Sequence, residues 1–241
     1  MTLLSTKNLS RSFGGLRAVD SVDFDLQAGE IRAIIGPNGA GKTTFVSLVC
    51  GRIAPDMGAI NFDGRSVTGL PAFRRVQLGI AYTFQITSVF KNLTALENVT
   101  LAAQNANRET GDGSRAKSVS DRAAASLDWV GLSGRSDAKA GELPYGHQRL
   151  LEVAMALALA PKLLILDEPT QGLSDPEIAD FCDLIQAISI EATVLLIEHN
   201  MDVVMQLAHR ITVMDHGRIL AEGTPAEIRA NEAVQQAYLG A

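Results

Sequence analysis

No stretch of these 241 residues is long and apolar enough to span a bilayer, which takes roughly 20 consecutive apolar positions. The longest apolar runs, Val153 to Ala160 and Leu163 to Leu166, are separated by Pro161 and Lys162. The sequence therefore predicts no transmembrane helix. Met1 to Lys7 lacks the basic stretch and apolar core of a secretory signal, so the expected location is the cytoplasm. Cysteine is scarce: Cys50 and Cys182 lie far apart, with no second Cys or His at metal-ligand spacing. That argues against a zinc site or a disulfide framework, and both read as packed thiols. Positive charge is in deficit, 21 Lys and Arg against 27 Asp and Glu, for a net charge of -6. This balance argues against a nucleic-acid partner, although a local basic patch is compatible with an acidic total. No internal repeat is visible. What is present is an apolar content of 46%, enough for a sizeable core in one large domain or two small ones.

The first part of the chain alternates β-branched runs with turn signals. Ala18 to Leu26 reads as a half-exposed strand ended by Gly29, and Ile31 to Ile35 as a more buried one. A glycine-rich segment follows, after which Phe45, Leu48 and Val49 show helical spacing up to a stop at Gly51. Ala59 to Phe62 with Asp63-Gly64 resembles a hairpin arm and its turn, and Gly79 to Phe84 is another strand. From Leu93 to Ala160 the pattern is helical, with Asn105 to Ser120 expected as a solvated loop. Strands return at Leu163 to Leu166, Val194 to Ile197 and Ile211 to Met214, nearly all apolar, as in a parallel sheet buried on both faces. Helices are expected between them at Pro176 to Ser189 and Met201 to His209. Asp215 to Arg218 reads as a hairpin turn and Pro225 to Ala241 as a helical tail. The fold class is α/β, with a mostly parallel sheet and a helical insertion.

Gly36-Pro37-Asn38-Gly39-Ala40-Gly41-Lys42-Thr43-Thr44 contains the pattern G-x-x-x-x-G-K-[ST] between a strand and a helix. Glycines let backbone N–H groups curl round a phosphate, Lys42 reaches the terminal phosphates, and the Thr43 hydroxyl binds Mg²⁺. Asp167 and Glu168 end an apolar strand, at the carboxyl edge of a sheet where ligands of open α/β folds bind. There Asp167 is expected to hold Mg²⁺ through water, and Glu168, facing the other way, to polarise the attacking water or accept its proton. Alone, such an acidic pair is more often a turn or a helix cap. The phosphate loop upstream favours the chemical reading.

Leu143-Pro144-Tyr145-Gly146-His147-Gln148-Arg149 precedes a helix with apolar residues at Leu150, Val153, Ala154, Leu157 and Ala158. Followed by the acidic strand, this segment resembles the signature motif of ATP-binding cassette (ABC) ATPases, LSGGQ in its common form. The resemblance covers essentially the whole chain. Gln85 after Thr83-Phe84 looks like the Q-loop, a catalytic and metal position; Leu173-Ser174-Asp175 looks like the D-loop; His199 looks like the switch histidine; Phe13 resembles the aromatic residue that stacks on adenine. Each also has a plainer reading, since His199, Gln85 and Phe13 are residues that could serve structure or surface alone. Pro144 departs from the pattern, standing where the family's Ser offers a hydroxyl, and His147 stands where it has Gln. Backbone amides near Gly146 and His147 are then expected to take over the phosphate contact.

The resemblance implies a P-loop NTPase core of RecA-like type with an N-terminal antiparallel β subdomain. One ABC ATPase domain would fill 1–241, with 1–90 and 161–224 as nucleotide-binding core, 91–160 as helical signature subdomain and 225–241 as tail. It also implies ATP with Mg²⁺, a second ATPase subunit joined head to tail, integral-membrane permeases, an indirect link to a solute-binding protein, and a place on the cytoplasmic face of the inner membrane. Leu143 to Gly146 with Gln148-Arg149-Leu150-Leu151-Glu152, Thr68 to Pro71, Glu198 to Asp202 and Ala237 to Gly240 look like ATP-binding subunits of branched-chain or hydrophobic amino-acid importers, and Phe84-Gln85 like their G-type subunit. The alternatives are an ABC ATPase of lipid or lipopolysaccharide export, one acting on nucleic acid, and a kinase or GTPase sharing only the phosphate loop.

Overall fold

The structure, a computed structural model, describes residues 1–83, 88–105 and 115–239, the side chains of 115–118 and 238–239 aside. The chain begins with β1 (Thr2–Phe13), β2 (Leu16–Gln27) and β3 (Ile31–Ile35), then α1 (Lys42–Val49), β4 (Met57–Phe62), β5 (Arg65–Ser66), α2 (Ala72–Gln77) and β6 (Ile80–Thr83). Three helices follow, α3 (Ala95–Ala103), α4 (Arg115–Trp129) and α5 (Tyr145–Leu157). The rest alternates: β7 (Leu163–Asp167), α6 (Asp175–Ile188), β8 (Thr193–Ile197), α7 (Met201–Leu207), β9 (Arg210–Asp215), β10 (Arg218–Gly223), α8 (Pro225–Arg229) and α9 (Glu232–Leu239).

A six-stranded sheet runs in the order β10-β9-β3-β8-β7-β6, parallel throughout except for the antiparallel edge pair β9–β10. Its central strands β3, β7 and β8 are buried at every position, which explains why they are apolar apart from Arg32, Asp167 and Thr193. Side chains alternate between the faces. Leu164, Leu166, Val194 and Leu196 join the core under α3 to α6, whereas Leu163, Ile165, Leu195 and Ile197 join a second core under α1. A smaller core under α7, α8 and α9 takes Ala33, Ile35, Ile211 and Val213. The second sheet, β2-β1-β4-β5, is antiparallel and closes the α1 side through Leu4, Leu9, Phe24 and Phe62.

Helix α1 is therefore wedged between two sheets. Its Phe45, 1% exposed, meets Phe24 edge-on at 5.2 Å between ring centroids. Phe45→Ala is expected to cost about 3–5 kcal/mol of stability, because both the transfer free energy and the cavity count. Urea denaturation checks this.

Two expectations need correction. The segment 105–120 is not a loop throughout, since α4 starts at Arg115; of that span, 106–114 lies outside the described residues. Val119, Ala123 and Leu127, four apart, seat α4 on the core, a periodicity hidden by its many charged and serine positions. The first strand, β1, is also absent from the sequence reading. Its polar run Ser5-Thr6-Lys7-Asn8 and repeated register shifts against β2 blur the alternation that marks a strand.

Candidate functional site

Strand β3 delivers the chain to Gly36 at the carboxyl edge of the sheet, between β8 and β9. Two glycines there are dictated by contact. A Cβ on Gly36 would stand 2.1 Å from the Met214 carbonyl oxygen, and one on Gly41, with φ +98°, 2.2 Å from that of Ala18. Only a residue without a side chain passes both points. Asn38 and Gly39 are exposed, Ala40 is buried, and Pro37 and Lys42 lie between these extremes. Helix α1 begins at Lys42 with Gly41 as its cap and no side-chain cap, leaving its first N–H groups and positive dipole end toward the loop. Thr43 is exposed and Thr44 half-buried in that first turn. The Lys42 ammonium donates to the carbonyls of Gly36 (2.6 Å) and Pro37 (3.0 Å). Burial lowers its pKa, while the carboxylates of Glu168 and Asp167 pull it the other way.

Both carboxylates come from the end of β7. Asp167, 2% exposed, accepts a hydrogen bond from the Tyr82 hydroxyl at 2.7 Å, so β6 orients it. Burial raises the Asp167 pKa and the Tyr82 bond opposes the rise. Tyr82→Phe is accordingly expected to raise that pKa further. Asp167 must be ionised to meet a cation, so the acidic limb of the activity profile should move to higher pH, as a comparison of pH–rate curves would show. Glu168 turns away in the left-handed region, φ +46°, with its N–H on the Ile197 carbonyl (2.9 Å) and its own carbonyl accepting from Arg149 Nη2 (3.3 Å). Its Oε1 lies 4.0 Å from His199 Nδ1, so the structure brings these two residues together.

Glu198, fully buried, locks this corner; in the sequence it stood only within the segment Glu198 to Asp202, with no role of its own. It accepts from the Thr170 N–H (3.2 Å) and hydroxyl and from the N–H groups of His199 (2.8 Å) and Asn200 (3.0 Å). An acidic residue closing an all-apolar strand was the available signal. Tyr82 gave none, being one aromatic residue in a strand.

Leu143 is buried, and α5 starts directly after Pro144. Its first turn packs on the start of α6. A Cβ on Gly146 would stand 2.4 Å from Glu177 Oε1, and one on Gly172 2.9 Å from the Tyr145 ring. Ser174 donates from its N–H (2.9 Å) and hydroxyl (2.6 Å) to Glu177, and Asp175 lies exposed in the first turn of α6. The first turn of α5 thus sits against the start of α6, the helix in whose first turn Asp175 lies. His147 Nδ1 is buried without a hydrogen-bond partner among the described residues. At the tip of β1, Phe13 is 47% exposed, with the Arg11 guanidinium 5.0 Å from its centroid on one face. Gln85 lies outside the described residues.

Among the described residues no three His, Cys, Asp or Glu side chains converge into a ready metal cage. The exposed Thr43 hydroxyl and the buried Asp167 carboxylate suit Mg²⁺, which takes one or two protein oxygens and completes its shell with waters and substrate phosphates.

Residues 19–171 match the family model for the ABC transporter, and 218–241 that for the branched-chain amino acid ATP-binding cassette transporter. The chain is 41% identical to the high-affinity branched-chain amino acid transport ATP-binding protein LivG of Salmonella typhimurium, over 99% of this chain and 98% of the relative. It is 33% identical to the lipopolysaccharide export system ATP-binding protein LptB of Escherichia coli, over 100% and 98%. Among solved structures, the ADP conformation of an ABC transporter's ATP-binding cassette superposes with a TM-score of 0.88 at 28% identity, covering both chains fully. The phosphate loop on β3 and α1, the carboxylates ending β7 and these similarities from end to end give one conclusion: the chain belongs to the ABC transporter ATP-binding family and is a P-loop ATPase cassette that binds and hydrolyses ATP.

Proposed function

We propose that this cassette is the motor subunit of an importer for branched-chain or other hydrophobic amino acids. It would work at the cytoplasmic face of the inner membrane through integral-membrane permeases, and indirectly with a solute-binding protein. The observation that carries this reading is the identity of 41% over 99% of the chain to a branched-chain amino acid transport ATP-binding protein. No helix of the described residues is long and apolar enough to cross a membrane, consistent with attachment through partners.

In this reading two cassettes meet head to tail, each nucleotide lying between Gly36 to Thr43 of one and Leu143 to His147 of the other. Support comes from the separation of the two motifs: α1 belongs to the core on one face of the sheet and α5 to the core on the opposite face. Phe13 offers adenine the ring face that Arg11 leaves open, Lys42 and the α1 amides hold the phosphates, and Asp175 acts across the interface. Thr43, Asp167 and Gln85 would hold Mg²⁺, which supplies charge neutralisation on the phosphates. Glu168 polarises the attacking water, with His199 beside it. Pro144 offers neither hydroxyl nor N–H, so the amides of Gly146 and His147 serve the partner's γ-phosphate. Nucleotide drives the motor by binding the closed pair more tightly than the open one. The region 91–160 would be the helical subdomain that grips the permease, with 1–90 and 161–224 as the nucleotide-binding core and 225–241 as a tail.

A second reading, lipopolysaccharide export, is favoured by the relative at 33% identity. Deleting the gene and measuring uptake of labelled leucine, isoleucine and valine separates them. Loss of uptake, restored by the intact gene and accompanied by co-purification with a permease pair, is the expected result. Unchanged uptake with impaired lipopolysaccharide export would favour the second reading, and co-purification with DNA or ribosomes free of membranes would sink both.

A further inference from the structure

Helix α1 aims its amino end at the phosphate loop, and its last carbonyls, at the other end, need partners. One side chain takes two of them. Arg75 in α2 donates from Nη1 to the carbonyls of Leu48 (2.7 Å) and Val49 (2.8 Å), from Nε to that of Leu70 (3.0 Å) and from Nη2 to that of Thr68 (3.0 Å). The guanidinium is thus a clamp between the carboxyl end of α1 and residues 68–70. It is 1% exposed. Gly51, with φ +72°, ends the helix so closely that a Cβ there would stand 2.7 Å from Arg75 Nε.

A buried cation is costly to desolvate, and an apolar side chain of similar volume would fill the same space without that cost. The buried Arg32 meets the carboxylates of Glu30 (2.7 Å) and Glu222 (2.9 Å), and the buried Arg149 that of Glu152 (3.1 Å). The acceptors of Arg75 given above are carbonyls alone, including the negative end of the α1 dipole. Its planar fork fixes direction as well as distance. The segment it grips runs on through α2 into β6, where Tyr82 orients Asp167. The opposite end of α1 carries Lys42 and Thr43.

We propose that Arg75 is a positioning residue for the nucleotide: by pinning the carboxyl end of α1 to residues 68–70, it keeps Lys42 and Thr43 in register with Asp167, so that phosphates held at the start of α1 lie where Asp167 would hold the accompanying Mg²⁺. This rests on the reading of Gly36 to Thr43 as the phosphate site.

The test uses the full chain carrying Arg75→Met or Arg75→Lys, with steady-state ATP hydrolysis, calorimetric binding of ATP with and without Mg²⁺, and thermal melts. Measurements are made at a temperature where each variant is folded. Arg75→Met is expected to raise both KM and Kd for ATP with Mg²⁺ about tenfold, leaving kcat at saturation within about threefold, because misplacement of α1 weakens phosphate contacts before it touches the attacking water. Arg75→Lys, with a cation but no fork, should fall between. Ile188→Ala, in the core on the opposite face, should lower the melting temperature with KM unchanged. If both arginine variants melt earlier yet keep the wild-type KM and Kd, the proposal is overturned and Arg75 only stabilises. If Arg75→Met does not fold, Arg75→Lys decides in the same way. Normal ATP binding by Lys42→Ala would instead sink the reading of the loop itself, a distinguishable failure.

Discussion

Glu168→Gln should lower kcat for ATP hydrolysis by about a thousandfold while leaving ATP affinity near normal, since a positioned general base contributes on the order of 10² to 10⁴. The backbone at this position is over-determined. Its N–H is held by Ile197, its carbonyl by Arg149, and its φ of +46° aims the side chain toward His199, away from the hydroxyl that holds Asp167. The amide keeps the volume and the rotamer, so the fold and the phosphate contacts should survive. What it loses is the ability to polarise water or take its proton. A nucleotide-loaded protein that hardly turns over is therefore the expected state, visible as retained ATP after gel filtration and as a collapsed single-turnover rate. Hydrolysis within a few fold of wild type would show that the carboxylate is not the activating group.

Lys42→Ala should act on binding instead. The ammonium sits over the carbonyls of Gly36 and Pro37, half-buried and flanked by the Asp167 and Glu168 charges, ready to exchange those carbonyls for phosphate oxygens. Charge-assisted hydrogen bonds to phosphate contribute about twice a neutral one, so losing two or three of them should weaken ATP about a hundredfold or more. Calorimetry gives this directly. The rise in melting temperature that ATP confers on the wild type should vanish in the variant, because ligand stabilisation follows occupancy. The two substitutions thus separate binding from chemistry: one abolishes the complex and the other traps it.

The elements legible in the sequence are those whose signal is local. The run from Ile31 to Thr44 states strand, glycine turn and helix in consecutive residues, and the strand residues Leu163 to Leu166 are apolar because both faces are covered. The carboxylate pair could be assigned its chemistry only through the loop more than a hundred positions upstream. Features made by distant residues stayed hidden. Arg75 reads as one more charge until folding brings the carbonyls of residues 48, 49, 68 and 70 around it. The same holds for Tyr82, whose partner lies 85 residues away, and for Glu198, which binds backbone groups on two different turns. Strand β1 escaped because bulges break its alternation, and the start of α4 because its charged and serine positions hide the helical spacing. The constellation of Gly146, Gly172 and Glu177 likewise needed the structure, since only the packed turns show why side chains are excluded there.

The most direct measurement is ATP-driven uptake in proteoliposomes that hold the permease pair, this cassette with its partner cassette, and a binding protein loaded with labelled leucine. The expected result is leucine accumulation that requires ATP inside, is abolished by Glu168→Gln in this cassette, and is accompanied by faster ATP hydrolysis when the loaded binding protein is added. ATP hydrolysis indifferent to the loaded binding protein, with no leucine accumulated, would contradict it.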